Sequence, residues 1–338
     1  MSPSPFLRSV LVTGAAGFIG STLVRRLLQD GTQVVGLDSL ERGHADSLPS
    51  QVPLIVGDVR DPDAVRAALQ HFGRPPVACI HLASLILVGE SVAQPAWYHD
   101  VNAVGTQVVT DACLDAGVGA IVLASSAAVL GSEQGGADKL DEDAHIAPES
   151  PYGASNVAAE QTIAAAAQTG RMAAVALRLF NVAGAAHGCT ERHDPESHLI
   201  PLAVRAAARE IPPLKVFGTQ LPTPDGTCLR DYVHIADVTE AMVRGALRAL
   251  GQHASGDAQF EVFHVGSGRG SSVLDVIAAV EAELGVTVPT IDDPPRAGDV
   301  PILVSDPRKL GEILGIVPDT DLRRMVRDCA RQFGLLPS

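Results

Sequence analysis

Short apolar runs rich in β-branched residues alternate with amphipathic stretches through the first 180 residues of this 338-residue chain. The runs predict strands at Ser9–Thr13, Gln33–Leu37, Leu54–Val56, Ala78–Leu82, Ala120–Ala124 and Ala173–Leu179. Between them, apolar positions at helical spacing predict helices near Ile19–Asp30, Pro62–His71, Asn102–Ala116 and Tyr152–Thr169. Strands alternating with helices of this length form βαβ units, hence an α/β fold on a doubly wound parallel sheet. After Asn181 the periodicity weakens. The Pro, Gly and His content of Gly184–Pro201 and Pro212–Gly226 predicts long loops of the kind that carry binding groups. A strand at Glu261–Val265, a helix at Val273–Leu284, a Pro-rich stretch at Pro289–Pro301 and a helix near Asp321–Phe333 follow. The expected organisation is a larger domain over residues 1–180, with a return of the chain near 232–266, and a smaller α/β domain over 181–338.

Composition narrows the picture. At 46% hydrophobic and 19% charged residues, the chain has the make-up of a folded globular protein. No apolar run reaches the roughly 20 residues that span a bilayer, and the N-terminus does not read as a signal peptide. The five cysteines (Cys79, Cys113, Cys189, Cys228, Cys329) are odd in number and lack paired spacing, which suits reduced thiols and a cytoplasmic location. A net charge of −14 argues against a sequence-independent grip on nucleic acid or an anionic membrane. Any anionic ligand then requires a few well-placed cations. These would be arginines, since the only lysines are Lys139, Lys215 and Lys309.

The strongest chemical signal is the run Val10–Gly20, VLVTGAAGFIG, which sets Gly14, Gly17 and Gly20 between a strand and a helix. Glycines there allow a tight turn and close approach of backbone to a pyrophosphate at the positive end of the helix, as in a Rossmann domain. Phe18 and Ile19 open that helix. A second strand ends at Asp38, 18 residues beyond Gly20, where a carboxylate can bond an adenosine ribose. That acid disfavours a 2′-phosphate, so NAD is the expected cofactor. Asp58 and Val59, after the third strand, are expected near the adenine.

With these motifs the chain resembles the extended short-chain dehydrogenase/reductase family, most closely its UDP-glucose 4-epimerase branch. The resemblance runs through HLAS at His81–Ser84, VGES at Val88–Ser91, NAVGT at Asn102–Thr106, SSAAVLG at Ser125–Gly131, SPYGAS at Ser150–Ser155 and RLFN at Arg178–Asn181. It continues through PTPDGTCLRDYVHIADV at Pro222–Val238, HVGSGRGSSVLDV at His264–Val276 and RAGDVPILVSD at Arg296–Asp306. The resemblance implies epimerisation at C4 of a UDP-linked sugar, with transient transfer of a hydride to bound NAD and its return to the other face. Tyr152 then matches the general base and Ser126 the hydroxyl that bonds both sugar oxygen and tyrosine. Leu82, Ala83, Ser84, Asn102 and Phe180 match cofactor contacts. Arg230 and Arg296 match the cations that hold the diphosphate. Asn181, His198 and Leu199 match loop groups over the nucleotide, Phe217 the uracil region and Asp299 a uridine-ribose contact. A homodimer through the helices at Asn102–Ala116 and Tyr152–Thr169 is implied as well.

The chain departs from that pattern at telling positions. Where the family places lysine four residues after the tyrosine, this chain has Asn156. Positions i and i+4 share a helix face, so Asn156 is expected at the nicotinamide ribose without the ammonium that normally lowers the tyrosine's pKa. Ile86 replaces a second lysine, Leu130 a tyrosine, and His198 an asparagine. Asn156 is open to three readings: an inactivating substitution, a natural catalyst tuned by other groups, or a protein that binds NAD and a nucleotide sugar with a different or lost activity. Uronic acid epimerisation or decarboxylation falls within the last. Ala127-Ala128 after Ser126 cannot transfer protons, which argues against a 4,6-dehydratase, and Leu303 stands where the family gates bulk at sugar C2. The loop His187–His198 is rich in His, Cys and Glu, but it lacks the tight paired spacing of a zinc site. Its expected role is polar contact with substrate, with no metal.

Overall fold

The computed structural model describes residues 7–131, 139–295 and 300–337. In chain order the elements are β1 (Ser9–Thr13), α1 (Phe18–Gln29), β2 (Gln33–Asp38), β3 (Leu54–Val56), α2 (Pro62–Gln70), β4 (Ala78–His81), α3 (Val88–Ala93), α4 (Pro95–His99), α5 (Gly105–Ala116) and β5 (Ala120–Ser126). Next come α6 (Pro151–Gln168), β6 (Ala173–Leu179), β7 (Asn181–Ala183), α7 (Leu199–Ala207), β8 (Leu214–Phe217), β9 (Leu229–His234), α8 (Ile235–Ser255) and β10 (Phe260–Val265). The chain ends through β11 (Gly270–Ser272), α9 (Val273–Leu284), β12 (Thr290–Asp293), β13 (Ile302–Leu303), α10 (Arg308–Leu314) and α11 (Leu322–Gln332).

Two compact units divide the chain. One holds the chain up to Val129, Pro148–Arg178 and Thr239–Phe263; the other holds Leu130–Ala147, Leu179–Val238 and the chain from His264 onward. The first is built on a seven-stranded sheet of order β10-β6-β5-β4-β1-β2-β3. Its pairs β1–β2, β1–β4, β2–β3 and β4–β5 are all parallel. The order reverses at β1, the switch point beside which α/β sheets place their ligands. Strand β1 is buried along its whole length, as a strand covered on both faces must be. Leu11, Val35, Leu37, Cys79 and Ile121 form one side of the core with Val109 and Ile163. This is the expected doubly wound α/β sheet.

Several elements differ from the periodicity reading. The helix expected from Asn102 starts at Gly105, because Asp100–Val104 is wound as a wider π turn. Such turns often mark functional positions. Strand β5 runs two residues further than expected, to Ser126. The stretch Pro212–Gly226, expected as loop, contains β8, and the Pro-rich stretch contains β12; the two pair in parallel. The 21-residue helix α8 was hidden by a mixed pattern of Arg, Ala and Gly.

The second unit centres on β9. It is flanked by β11, antiparallel, and by β13 and β7, both parallel. Asp231 on β9 is fully buried and accepts five hydrogen bonds, from the Ser267 and Ser305 amides and hydroxyls and the Gly268 amide, at 2.5–3.0 Å. One carboxylate thereby fastens three segments. A core of Ile200, Val204, Val216, Val276, Val280, Met325 and Val326 joins α7, β8, α9 and α11.

Candidate active site

The three fingerprint glycines divide by what surrounds them. Gly14 has φ +67°, and a Cβ on it would stand 2.7 Å from the Ala83 nitrogen. A Cβ on Gly20 would stand 2.1 Å from the Gly14 carbonyl oxygen. Both are glycine because the protein packs against itself there. Gly17 is different: its Cβ would meet only the Gly14 oxygen at 3.4 Å, an ordinary contact. The protein alone does not require glycine at 17, whereas a pyrophosphate laid against the backbone does. Gly17 is also the N-cap of α1, whose first turn has neither a side-chain cap nor an acid. The positive helix end is thus left for an external anion. Phe18 and Ile19 form that turn.

Asp38 is buried and takes the Ala16 amide on one oxygen (2.9 Å) and the Leu40 amide on the other (2.8 Å). Each carboxylate oxygen has a second lone pair with which to receive a ribose hydroxyl. Asp58 is engaged by Arg60, whose guanidinium lies 2.6 Å from it and 2.6 Å from Asp100, and that pairing holds its carboxyl below the usual range. Val59 is buried under Gly105, where a Cβ would come within 2.8 Å of it.

The segment after β4 is fixed from below. The Leu82 and Ala83 amides donate to the Thr13 hydroxyl (3.2 and 3.3 Å), and the Ser84 hydroxyl donates to the Leu85 carbonyl. His81 sits between Thr13 (2.6 Å) and Thr106 (3.0 Å), and burial pushes its imidazole down to about 4, so it is neutral. The family resemblance places Asn102 at the cofactor. Here its amide accepts from the Leu85 N–H (2.8 Å) and donates to the Leu85 carbonyl (3.0 Å) and the Ser155 hydroxyl (3.0 Å). It ties the β4 loop to α6.

Ser126 ends β5 and Tyr152 lies in the first turn of α6, which Ser150 caps by accepting the Gly153 amide at 3.1 Å. Gly153 lets the two approach: a Cβ there would stand 2.2 Å from the Ala128 oxygen. Burial pushes the Tyr152 phenol above its usual range, and hydrogen bonding from the Ser126 and Asn156 side chains pulls it back only in part. Asn156 is buried and donates from Nδ2 to the Tyr152 carbonyl, one turn back, at 2.9 Å. No lysine stands between Lys139 and Lys215.

Two supports were not anticipated. Tyr98 packs edge-on against Tyr152, centroids 6.3 Å apart, and its hydroxyl donates to Glu90 (2.9 Å) while accepting the Leu87 amide (3.0 Å). The signal was there, for the chain has only three tyrosines. Four residues beyond Asn156, buried Glu160 takes a forked pair of bonds from Arg178 (3.0 and 2.9 Å) and one from Ser125 (2.5 Å). The RLFN motif gave no hint of this partner.

Ser126 apart, the expected nucleotide-sugar residues that are described lie in the second unit, as does Phe180, expected at the cofactor. Phe180 is buried and stacks at a tilt on His264, 5.6 Å between centroids. Asn181 opens β7, opposite Tyr232 of β9. Arg230 donates from Nη1 to the Leu229 (3.0 Å) and Val300 (2.6 Å) carbonyls. Phe217 ends β8 with the Lys215 ammonium 6.0 Å from its ring. His198 is the N-cap of α7 and Leu199 its first residue. Arg296 and Asp299 fall outside the described residues. His198 stands in a cluster with Glu191, His193 and Glu196, whose ligand atoms all lie within 4.8 Å of one another. Burial would lower the His198 imidazolium, but Glu191 and Glu196 lift it to about 10.

The NAD dependent epimerase/dehydratase family model matches residues 10–266. A UDP-glucose 4-epimerase of Azospirillum brasilense is 37% identical over 314 residues, 92% of this chain and 88% of that protein. The crystal structure of UDP-glucose 4-epimerase from Brucella ovis in complex with NAD is 35% identical, with a TM-score of 0.87 over 97% of this chain and 98% of that one. The enzyme from Stenotrophomonas maltophila, with bound NAD and formylated UDP-arabinopyranose, is 34% identical, with a TM-score of 0.90 over the same shares. The glycine loop, the Ser126–Tyr152 pair and these matches lead to one conclusion: this chain belongs to the NAD dependent epimerase/dehydratase family.

Proposed function

We propose that this protein is an NAD-dependent epimerase acting at C4 of a UDP-linked sugar, with an active site in which asparagine stands for the usual lysine. The observation that carries the reading is the pairing of Tyr152 with Ser126 in a unit whose Gly17 is open to a dinucleotide. Gly14, Gly17, Phe18, Ile19 and Gly20 would hold the pyrophosphate and Asp38 the adenosine ribose. Asp58 and Val59 would flank the adenine, and the backbone of Leu82–Ser84, held by Thr13 and followed by the Leu85 that Asn102 clamps, would line the cofactor, with Phe180 beside it. Bound NAD supplies the acceptor and donor of the C4 hydrogen. Tyr152 takes the proton from the C4 hydroxyl as that hydrogen leaves, and gives it back as the hydrogen returns. Ser126 orients the oxygen. Asn181, His198, Leu199, Phe217, Arg230, Arg296 and Asp299 are proposed for the UDP moiety, the two arginines supplying local positive charge on a chain of net −14. We further propose a cytoplasmic homodimer.

The test is to incubate purified protein with UDP-galactose, without added NAD, and resolve the products. UDP-glucose forms with wild type and not with Tyr152→Phe. Turnover retained in Tyr152→Phe contradicts the assignment of the base. A second reading, a protein that binds NAD and UDP-sugar without turnover, draws on the raised Tyr152 phenol and the uncharged Asn156. It predicts bound cofactor and no interconversion of any UDP-sugar.

A further inference from the structure

Outside the cofactor and catalytic groups, the loop between β7 and α7 gathers four ligating side chains. The Glu191 Oε1 lies 2.6 Å from His198 Nδ1 and 2.9 Å from His193 Nδ1. The Glu196 Oε1 lies 3.0 Å from the same His198 Nδ1. Both glutamate side chains are only 6% exposed, and the imidazole rings are 5.0 Å apart. Pairwise hydrogen bonding fits this arrangement poorly. One Nδ1–H donates along one direction, yet His198 Nδ1 faces two carboxylate oxygens, and one of those oxygens is shared with a second imidazole. The two nearly buried carboxylates carry more negative charge than one imidazolium on His198 can offset.

We infer that Glu191, His193, Glu196 and His198 form a binding site for one divalent transition-metal ion, best matched by zinc. A central cation satisfies all four groups at once, accepting two nitrogen and two oxygen lone pairs. The mixed set favours zinc over calcium or magnesium, which take oxygen ligands. Four protein ligands complete a tetrahedron and leave no open position, so the role is structural. The outer shell is built as well: Glu196 Oε1 accepts the Ser197 and His198 amides at 2.7 and 2.8 Å, which aims the carboxylate. The ion would staple Glu191 to the first residue before α7 and so fix the chain entering Leu199. The loop is also anchored to α11 by Thr190, whose hydroxyl donates to Gln332 at 2.6 Å. His198 uses Nδ1 for the ion, which leaves its Nε2 edge for other contacts. Neither catalytic side chain is among these ligands, and of the residues proposed for UDP only His198 is; the variants tested below leave His198 in place, so the inference stands or falls apart from the epimerase reading.

The experiment uses the untagged full-length chain, dialysed and analysed for metals by mass spectrometry, then stripped with a chelator and titrated with Zn²⁺ against a chromophoric competitor. Retention of about one zinc per chain is expected, and Co²⁺ in its place gives the visible absorption of a tetrahedral site. His193→Gln and Glu196→Gln should each weaken zinc by at least about 100-fold, with circular dichroism unchanged. A wild-type chain that neither retains zinc nor gives the tetrahedral cobalt spectrum overturns the inference and leaves an imidazolium–carboxylate cluster. Zinc bound equally by both variants also overturns it, by placing the ion elsewhere.

Discussion

Tyr152 and Asn156 carry the unusual chemistry. A phenol with a pKa near 10 is about one part in a thousand ionised at pH 7, and burial raises this one further. A base must be deprotonated to act, so the rate should climb with pH through neutrality and level only in the alkaline range. An opposite charge close by lowers a pKa by about 1–3 units. Asn156→Lys should therefore raise kcat at pH 7 by about tenfold or more and move the levelling point to lower pH. A pH–rate profile unchanged in that variant would mean that the tyrosine is already tuned by other groups. The substitution was legible in the sequence as an offset from tyrosine. That its amide bonds back to the Tyr152 carbonyl was not, because a side chain's choice of partner depends on its rotamer.

Among the elements, the β1–α1 turn was the most legible, since glycine spacing reports backbone demands directly. The structure adds that the three glycines answer to different demands. Gly17→Ala should leave the melting temperature of the NAD-free protein nearly unchanged and weaken NAD binding, read by calorimetry. Gly20→Ala should destabilise the fold itself, because its Cβ has nowhere to go beside the Gly14 oxygen. The reverse pattern would mean that Gly17 serves packing and not a ligand. The π turn at Asp100–Val104 was not visible in the apolar pattern, which only marks a helical face. Its effect is to bring Asn102 to the Leu85 backbone. The loop of Glu191 and His198 has no metal spacing in the sequence, since its ligands sit on no regular element. Their convergence comes from the path of the loop.

For the whole molecule, the parallel sheet followed from strand and helix alternation, whereas β8, β12 and α8 did not. Short strands in Pro-rich stretches and a helix with mixed polarity are shaped by packing, and local pattern says little about them. Global stability should carry one recognisable pH signature. His81 is buried neutral, with a folded pKa of about 4 against 6.5 unfolded. Between those values the unfolded chain binds the proton and the folded one does not. The stability that His81 contributes is thus present above pH 6.5 and lost as pH falls toward 4, by about 3 kcal/mol. Urea unfolding of wild type and His81→Asn across that window should show a shallower pH slope in the variant; equal slopes would mean that His81 takes up its proton without unfolding. The central claim is that hydrogen leaves C4 of a UDP-sugar and returns to the same carbon. UDP-galactose deuterated at C4, turned over by the purified protein and analysed by mass spectrometry and NMR, tests it directly. The account predicts UDP-glucose with deuterium still on C4. Loss of the label to water, or no UDP-glucose from protein that holds NAD, would contradict it.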